Sequence, residues 1–358
     1  MFYRNAKILS NESLSASGTK VIDITLKDVI SRISLDVYGV NASTTPTAHP
    51  AAIVSKIEMV DGSDVLFSLS GAEVLALDYY QNKRTPFIIN NFQDNEYCRC
   101  VYHLNFGRYL YDQLLGLDPK RFKNLQLKVT YDRDAGGAAP DDGGIAITAD
   151  VFDEKAVEPV GFLTSKENVS YTMAASANEY IDLPVDYTFR SIMFLCTDSD
   201  GGTPLNYSEI KLSEDNDKRI PINEYRSRLS KIFGGDLPAI SEHFVCAGSE
   251  SAVTVYCMTS YEGQISVVQR DGAVGTFLAT QPGSGYVNVT GGAGGTIHGI
   301  ITGYSPFGSL RLPFGQEQII EDWYDVSNIG SLRLTVKASS GADSTNACQV
   351  VTEQLRTY

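Results

Sequence analysis

The sequence lacks the patterns that mark most membrane, zinc-binding and secreted proteins. No run approaches the roughly 20 apolar residues that cross a bilayer, and the N-terminal segment has no apolar core of a secretory signal. The four histidines have no second His or Cys at zinc-ligand spacing; they are His49, His103, His243 and His298. We therefore expect a chain that is synthesised and folded in the cytoplasm and that has no zinc site.

Signatures of catalysis are also missing. The Gly-rich run 291–295 lacks the Lys-Ser/Thr pair and the following helix of a phosphate loop. No Gly-x-Ser-x-Gly elbow precedes a helix, and Gly283-Ser284-Gly285 is typical of a flexible turn. The sequence therefore predicts no enzyme and no cofactor.

Cations are scarce relative to anions. The chain has 29 Lys and Arg against 43 Asp and Glu, which gives a net charge of −14. Binding to nucleic acid without sequence preference needs a surplus of cations that displaces the counterions of the phosphates. We therefore expect no direct contact with nucleic acid.

The cysteines form no recognisable framework. Their spacing matches neither a zinc site nor a small disulfide scaffold. Cys98 and Cys100 share one face of a strand, but a reducing cytoplasm favours free thiols over a strained link between them. We expect free thiols at all six positions, Cys98, Cys100, Cys196, Cys246, Cys257 and Cys348.

The composition that is present favours antiparallel β structure. Hydrophobic residues make up 43% and charged residues 20%, which is typical of a globular protein. Tyrosine is abundant, with 20 residues, there are 31 glycines, and helical periodicity is rare. A chain of 358 residues is too long for one ordinary core and suits two domains.

One seven-residue pattern occurs twice. Segments 101–107 (VYHLNFG) and 309–315 (SLRLPFG) both end in Phe-Gly, and each is followed by an amphipathic run and then by an alternating Leu/Val strand. Leu104 and Leu312 are 208 residues apart, and the later pair Leu127 and Leu334 is 207 apart. A spacing that slips by only one residue across such a block indicates a duplicated unit.

The Phe-Gly pairs mark where each strand is expected to enter a helix. We predict that Phe106 and Phe314 are core anchors at these junctions, next to Gly107 and Gly315. The exchange of His103 for Arg311 within the repeat indicates a polar position on a strand face rather than a catalytic base. The helices are predicted over 108–116 and 316–324.

The same relation extends along the chain. The matched positions are apolar: Ile22 and Ile33 correspond to Ile181 and Ile192 at an offset of 159, Ile57 to Ile210 at 153, Phe67 to Ile220, and Leu77 to Leu229 at 152. Segment 71–81 is predicted to be a short helix or turn. The jump in offset from 152 to 208 before the second Phe-Gly predicts an insertion of 56 residues.

Two copies of about eight strands each predict an all-β fold, with two tandem jelly rolls and short helices. We expect an irregular N-terminal arm over 1–18, either disordered or pinned by a neighbouring subunit. The first jelly roll is predicted over 19–156 and the second over 157–358. The insertion lies in the second, at about 240–305.

This organisation resembles the double jelly-roll major capsid proteins of tailless icosahedral bacteriophages and of the adenovirus-like lineage. The likeness is carried by the Phe-Gly pairs, the duplicated strand order and the loop insertion. Segment 57–80, which contains Val-Asp-Gly-Ser-Asp-Val-Leu-Phe-Ser-Leu, also resembles capsid sequences of this kind. The resemblance covers nearly the whole chain in architecture, and its specificity comes from the duplication.

The resemblance implies a structural virion protein that is assembled in the host cytoplasm. In that family two upright barrels per chain form pseudo-hexagonal trimers, and inserted loops build a tower that faces outwards. Residues 240–305 would be the tower, and the N-terminal arm would lie at the inner face or between capsomers. The implied partners are two further copies of the chain, neighbouring capsomers, minor capsid or vertex proteins and, in members that enclose one, an internal lipid membrane.

Two other functions stay open at this stage. A phage spike or another carbohydrate- or receptor-binding jelly roll would use aromatic residues of the insertion, namely Tyr256, Tyr261, Tyr286 and Tyr304. An enzyme on a double jelly roll, such as an amide-cleaving glycan hydrolase, would need clustered carboxylates, which the sequence does not reveal.

Acidic turns are the remaining metal candidates. Asp198 and Asp200 offer oxygen ligands in Asp-Ser-Asp-Gly, as do the turns at 132–134 and 215–217. None completes the twelve-residue calcium loop with its closing Glu, and Asp and Gly are also what tight turns use. Solvated turns are the simpler interpretation, and calcium at a subunit junction is the hypothesis to test.

Overall fold

The chain is built from strands in which buried and accessible side chains alternate. In strand β3 (Ile30–Asn41), Ile33, Leu35 and Val37 are buried, while the residues between them are half-buried. This period of two is that of a sheet with one face on a core. The computed structural model describes residues 2–198, 206–269, 278–280, 285–291 and 294–358.

The first half folds into a sandwich of two antiparallel sheets. One sheet has the order β1–β9–β3–β7 with β6 at its edge, and the other has the order β2–β8–β4–β5. The strands are β1 (Tyr3–Ser13), β2 (Ser17–Asp23), β3, β4 (Val54–Asp61), β5 (Asp64–Leu69), β6 (Ile88–Asn91), β7 (Tyr97–Asn105), β8 (Leu125–Asp132) and β9 (Pro140–Phe152).

The second half repeats this arrangement. The order β10–β23–β12–β21 matches β1–β9–β3–β7, and β11–β22–β13–β14 matches β2–β8–β4–β5. Each half is a jelly roll of eight strands in two sheets. The strands are β10 (Gly161–Thr172), β11 (Asn178–Leu183), β12 (Thr188–Asp198), β13 (Tyr207–Glu214), β14 (Arg219–Tyr225), β15 (Ile240–Ala247), β16 (Val253–Tyr256), β17 (Thr259–Gln269), β18 (Leu278–Thr280), β19 (Tyr286–Thr290), β20 (Thr296–Pro306), β21 (Ser309–Pro313), β22 (Leu332–Ala338) and β23 (Asn346–Thr357).

The strand pairings confirm the duplication residue by residue. Ile33 pairs with Leu104 in the first barrel, and their counterparts Ile192 and Leu312 pair in the second. In the other sheet Ile22 pairs with Leu127, and Ile181 pairs with Leu334. The all-β, two-barrel prediction is therefore confirmed at the level of register.

One predicted match was wrong by two residues. Phe67 faces Met59 across the β4–β5 hairpin, and the equivalent position opposite Leu212 is Ile222, not Ile220. The cause is the turn, because β13 and β14 are joined by a loop two residues longer than the loop between β4 and β5. Ile220 consequently lies on the surface, 42% exposed.

Each barrel carries one α-helix after the last strand of its second sheet. Helix α1 (Gly71–Asn82) begins at Ser70 with a capping box, in which Ser70 and Glu73 exchange hydrogen bonds, and ends at Lys83 in the left-handed conformation. Helix α2 (Arg226–Gly234) has no side-chain cap. The helix predicted at 71–81 is confirmed, and its match with the second half holds because both helices end at the same offset.

The helices predicted after the Phe-Gly pairs do not form. Segment 108–116 is a loop in which the Asp112 carboxylate accepts hydrogen bonds from the backbone N–H groups of Arg108 and Leu114, at 3.2 and 3.0 Å. Tyr111 has a φ of 63°, which interrupts a right-handed helix. Segment 316–324 contains only a short 3-10 turn at Ile320–Asp322.

The N-terminal residues are not an irregular arm. Residues 3–13 form β1, which pairs with β9 along the edge of the first sheet, and β2 begins at Ser17. The sequence gave no sign of this strand because an edge strand buries little: only Ala6 of β1 is buried. The barrels are connected by the segment 153–160 between β9 and β10.

The two barrels share one sheet. β5 pairs in parallel with β10, so one eight-stranded sheet runs through both barrels. β6 pairs in parallel with β15, which joins the first barrel to strands β15, β20 and β17 of the insertion. The inserted strands β16, β19 and β18 form a separate small sheet. No helix among the described residues is long and apolar enough to span a membrane.

The connections lie at two opposite ends of the barrels. We call the end that carries both helices and the inserted strands the top. The opposite end, the base, carries the loops 106–124 and 314–331, the connection 153–160 and both chain termini, and these segments touch each other: Arg108 donates to the Gln318 carbonyl and the Tyr358 hydroxyl to the Gly116 carbonyl, both at 2.7 Å.

We predict that Phe106→Ala destabilises the fold by about 3–5 kcal/mol, because it leaves a cavity at a fully buried site. Urea unfolding followed by tryptophan fluorescence and circular dichroism measures the change. Phe2→Ala, at a residue 62% exposed, is the control and should alter the free energy of unfolding by less than about 0.5 kcal/mol. Equal effects of the two substitutions would contradict the anchor role.

Candidate functional site

A buried ionic cluster lies where the first barrel meets the second. Glu353 on β23 is 1% exposed and binds two guanidinium groups. Its Oε1 lies 2.9 Å from Arg190 Nη1, and its Oε2 lies 2.9 Å from Arg311 Nη2. Ser191 donates to the same carboxylate, and Glu317 lies 2.6 Å from Arg311. Glu353, Arg190 and Arg311 come from three strands of one sheet, Glu317 comes from the loop after β21, and the four charges compensate one another.

The opposite charges in the cluster keep Glu353 and Arg311 ionised. Burial alone would raise the pKa of the Glu353 carboxyl, but Arg190 and Arg311 more than offset burial and hold that pKa at about 2. Burial would lower the pKa of Arg311, and the carboxylates of Glu353 and Glu317 raise it. Glu353 and Arg311 are therefore both charged at neutral pH.

Helix α1 of the first barrel also contacts this ionic cluster. Gln81 donates to Glu353 Oε1. The Tyr80 hydroxyl donates to the Ser309 carbonyl at 3.0 Å, and the Tyr79 hydroxyl donates to the Pro238 carbonyl. One helix thus contacts two strands of the second barrel and the loop before β15, and it holds the two barrels in one relative orientation.

A second polar junction joins the insertion to the first barrel. Glu242 on β15 is 2% exposed, and its Oε1 lies 3.0 Å from His49 Nε2 and accepts a hydrogen bond from Asn90 at 2.8 Å. Its other oxygen accepts from the Met258 backbone N–H at 2.7 Å. Asn90 also donates to the Tyr256 carbonyl. The insertion is therefore anchored at its root by buried, satisfied hydrogen bonds.

The carboxylates of both junctions are engaged by neighbouring groups. Glu353 contacts two arginines, Ser191 and Gln81, and Glu242 contacts His49, Asn90 and the Met258 backbone N–H. All six cysteines are free and buried, as expected, and burial raises the pKa of thiols such as Cys98, to about 11. Within the described ranges no three His, Cys, Asp or Glu side chains group as metal ligands would.

The two predicted anchors, Phe106 and Phe314, are buried to different extents. Phe106 is fully buried, directly after β7, and its ring packs edge-on against Phe162. Phe314 follows β21 at the same topological position, is half-buried and stacks on Tyr324 at 4.9 Å. A side chain on Gly107 would collide with Asp112, and Gly315 has a φ of 64°, so both glycines lie in tight loops.

The structure describes the predicted calcium ligands only in part. Asp198 ends β12, but its side chain and all of Asp200 lie outside the described residues. Of the other acidic turns, Asp132 and Asp215 accept hydrogen bonds from nearby backbone N–H groups, as turn residues do. Calcium binding by Asp198 and Asp200 stays a prediction.

His103 lies on the outer face of β7, as the exchange with Arg311 indicated. Its Nδ1 is 2.9 Å from the Ser34 hydroxyl. Burial, together with the positive charges of Arg32 and Arg84, lowers the pKa of His103 to about 4. The imidazole is therefore neutral at physiological pH and serves as a polar surface group.

The four aromatic residues proposed for ligand contacts form two separate pairs. Tyr261 pairs with Tyr304 across β17 and β20, and Tyr256 pairs with Tyr286 across β16 and β19. The first pair lines a cavity of about 230 Å³ between the two helices. The insertion thus does not bring the four rings to one binding surface.

Apolar side chains are exposed together at the base. Val160 donates its backbone N–H to the Leu114 carbonyl at 2.9 Å, and Tyr358 donates to the Val160 carbonyl, so these residues adjoin. Exposed apolar patches mark places where proteins contact other molecules. This base cluster consists of Phe2, Tyr109, Leu110, Leu114, Val160, Ile319 and Tyr358, each 39–62% exposed.

The sequence reasoning missed both junctions. The signal was present: Arg190 and Glu353 are the single charged residues of the otherwise apolar or uncharged stretches 187–197 and 344–355. A charge placed so is buried only when it is paired. Nothing in the sequence, however, shows which arginine meets which carboxylate, because the partners lie up to 163 residues apart.

Comparisons with known proteins give matches by structure alone. Neither protein-family models nor curated protein sequences match the chain. The structure is similar to "STIV MCP", with a TM-score of 0.62, 13% identity and coverage of 98% of this chain and 96% of that one. It is also similar to the major capsid protein P2 of bacteriophage PM2, with a TM-score of 0.57, 9% identity and coverage of 99% of this chain and 98% of that one. A third similar structure is PBCV-1 VP54, with a TM-score of 0.58, 11% identity and coverage of 99% of this chain and 93% of that one. The chain therefore has the double jelly-roll fold of these proteins over its whole length.

We predict that Glu353→Gln destabilises the chain by about 3–5 kcal/mol, because it leaves Arg190 and Arg311 buried without a counter-charge. Thermal and urea unfolding measure the loss. The control is Glu209→Gln, which removes an exposed pair with Lys337 and should cost about 0–1 kcal/mol. A Glu353 variant as stable as the control would contradict the role of the cluster.

The stability difference between the wild-type chain and Glu353→Gln should depend on pH within a defined range. The pKa of Glu353 is about 2 in the folded chain and about 4.3 when unfolded. Its stabilisation is thus fully present above about pH 4.3 and is lost as the pH falls towards 2. The stability difference between wild type and Glu353→Gln should stay constant from pH 7 to 5 and shrink below about pH 4. A constant difference down to pH 2.5 would contradict the assigned charge state.

Proposed function

We propose that this chain is a major capsid protein, a structural component of a virion whose trimers tile an icosahedral shell. The observation that carries the proposal is the duplicated jelly roll itself. Two barrels of equal topology share one continuous sheet, and the arrangement matches solved major capsid proteins over 98–99% of the chain. The jelly roll alone would be weak support, since many functions use that fold.

The mechanism we propose is geometric. A chain with two similar barrels offers two similar sides, so three chains around a threefold axis offer six. Such a capsomer makes nearly sixfold contacts with its neighbours although its true symmetry is threefold. The two barrels must then keep a fixed relative orientation, which is what the shared sheet, α1 and the Glu353 cluster support.

The two ends of the molecule suit the two sides of a shell. The top carries the inserted strands, which we assign to the outer surface. The base carries the apolar cluster, which we assign to the inner face, where a minor capsid protein or an internal membrane would meet the shell. With a net charge of −14, the chain is poorly suited to bind the genome directly.

This proposal includes no catalytic activity. The buried carboxylates of the junctions are fully engaged in ion pairs and hydrogen bonds. The role of the protein would then reside in extended surfaces between copies. We place it in the virion, with synthesis and assembly in the host cytoplasm.

The oligomeric state tests the proposal. Size-exclusion chromatography with light scattering should show a trimer of 39.0 kDa chains, and electron microscopy of the purified protein should show particles with a six-sided outline. Assembly-competent preparations should form a lattice of such particles. A stable monomer at high concentration, or a monomer that binds glycans on an array, would instead favour the receptor-binding alternative.

A further inference from the structure

Two of the six free cysteines lie opposite each other in a sheet of the second barrel. Cys196 on β12 pairs with Cys348 on β23 in the antiparallel register. Both side chains are fully buried and belong to the same apolar core. Side chains of directly opposed residues stand next to each other on one face of a sheet. The two thiols are therefore neighbours inside the second barrel.

The backbone hydrogen bonds show which kind of pair this is. In an antiparallel sheet the N–H and the C=O of one residue both bond to the same neighbouring strand. The Cys196 N–H donates to the Gly308 carbonyl at 3.0 Å, on the side of β21, so Cys196 and Cys348 form a non-hydrogen-bonded pair. The Cα atoms of such pairs are about 4.5 Å apart. Disulfide bonds span Cα separations of about 4.4–6.8 Å, so the backbone already has a suitable distance.

No other two cysteines oppose each other in the described strand pairings. Cys257 lies between β16 and β17, outside both strands. The other three cysteines face residues without a thiol: Cys98 faces Gly39, Cys100 faces Val37 and Cys246 faces Ile297. The geometry thus selects one pair among the six thiols.

The first barrel shows that packing at this position does not need cysteine. Ile33 pairs with Ala149 and its counterpart Ile192 pairs with Thr352, so the duplicated register places Val37 and Ile145 where the second barrel has the two thiols. Val37 and Ile145 also pair with each other and are buried. An aliphatic pair fills this position in one barrel, and the thiols add to the other a chemistry that an aliphatic pair lacks.

The position of the pair limits how fast the thiols react. Burial raises the pKa of the Cys348 thiol to about 12, so this thiol stays protonated and unreactive while the sheet is closed. Only two residues of β12 follow Cys196, and only two residues of β23 precede Cys348. Strand ends open locally at a lower free-energy cost than strand centres. We therefore expect oxidation to be slow in the folded chain and faster while the chain folds.

We propose that Cys196 and Cys348 form a disulfide bond in an oxidising medium, with a small disulfide such as glutathione disulfide as the oxidant. The Cys348 thiolate attacks one sulfur of glutathione disulfide and releases one glutathione thiolate. The Cys196 thiolate then attacks the Cys348 sulfur of the mixed disulfide and releases the second. Two cysteine thiols lose two electrons and two protons, and one glutathione disulfide becomes two glutathione molecules.

The bond would connect the two strands that carry the buried ionic cluster. Arg190 lies on β12 and Glu353 on β23, and their ion pair is one link between these strands. A disulfide between the same strands closes a chain loop that contains the whole insertion. Stabilisation by a disulfide grows with the length of the loop that it closes. The oxidised chain should therefore be more stable than the reduced chain.

Refolding in a redox buffer tests the pairing. The chain is unfolded in urea with a reductant, diluted into a mixture of reduced and oxidised glutathione, and alkylated with N-ethylmaleimide. Peptide mass spectrometry is applied to the fraction that regains the circular dichroism of the native chain. We expect one disulfide, between Cys196 and Cys348, and four alkylated thiols. A native fraction with six alkylated thiols, or with a disulfide between any other two cysteines, would overturn the proposal.

Two variants connect the bond to its effect. Cys348→Val introduces an aliphatic side chain of the kind found in the first barrel, so it should fold and form no internal disulfide. Cys246→Val, at a thiol that faces no other thiol, is the control and should retain the bond between positions 196 and 348. Oxidation should raise the Tm of the wild type and of the control by about 3–6 °C, measured by circular dichroism with and without reductant. A shift of the same size in Cys348→Val would contradict the assignment, because this bond could not cause it.

Discussion

The structure depends on helix α1 being enclosed between two barrels. Its N-terminal half packs in the core of the first barrel, while Tyr79, Tyr80 and Gln81 reach the second. The burial of this helix brings Glu353, Arg190 and Arg311 out of water, and their mutual pairing is what makes that burial tolerable. A jelly roll needs no such neighbour to fold, so the enclosed helix is the feature that turns two tandem domains into one rigid unit.

Rigidity of this kind is what a tiling protein requires. Two barrels joined by a flexible linker would sample many relative angles, and each assembly contact would then have to supply the entropy of fixing them. Here the connection 153–160 is short, and the sheet β2–β8–β4–β5 continues into β10–β23–β12–β21. The pairing of β5 with β10 therefore helps to set the angle between the two barrels within one chain.

The insertion and the base follow from the same arrangement. Because the helices and inserted strands occupy the top, the base is left with the loops after the Phe-Gly pairs, and Arg108 there ties one loop to the other. Glu242 and His49 hold the root of the insertion on the first barrel, so the inserted strands bridge both halves of the chain. The exposed apolar residues of the base cluster lie at the opposite end of the barrels from these polar anchors.

The sequence by itself determined the fold class, the duplication and the insertion. These are carried by alternation and by apolar positions such as Ile33, Leu104, Ile192 and Leu312, whose spacing is local and whose burial is dictated by the strand period. The sequence was misleading after the first Phe-Gly pair. Arg108 and Asp112 have the i, i+4 spacing of a helix, but their ion pair closes a loop. The edge strand β1 was missed because it buries almost nothing.

Only the tertiary structure decided the site. Glu353 meets Arg190 across 163 residues and Gln81 across 272, and no local pattern encodes which charges meet. The sequences of the two helices differ, since α1 is largely apolar and α2 carries three basic residues, but the sequence does not show that α1 also contacts the second barrel. Which surface of a duplicated unit is free for a second copy depends on how its two halves pack, and long-range packing sets that.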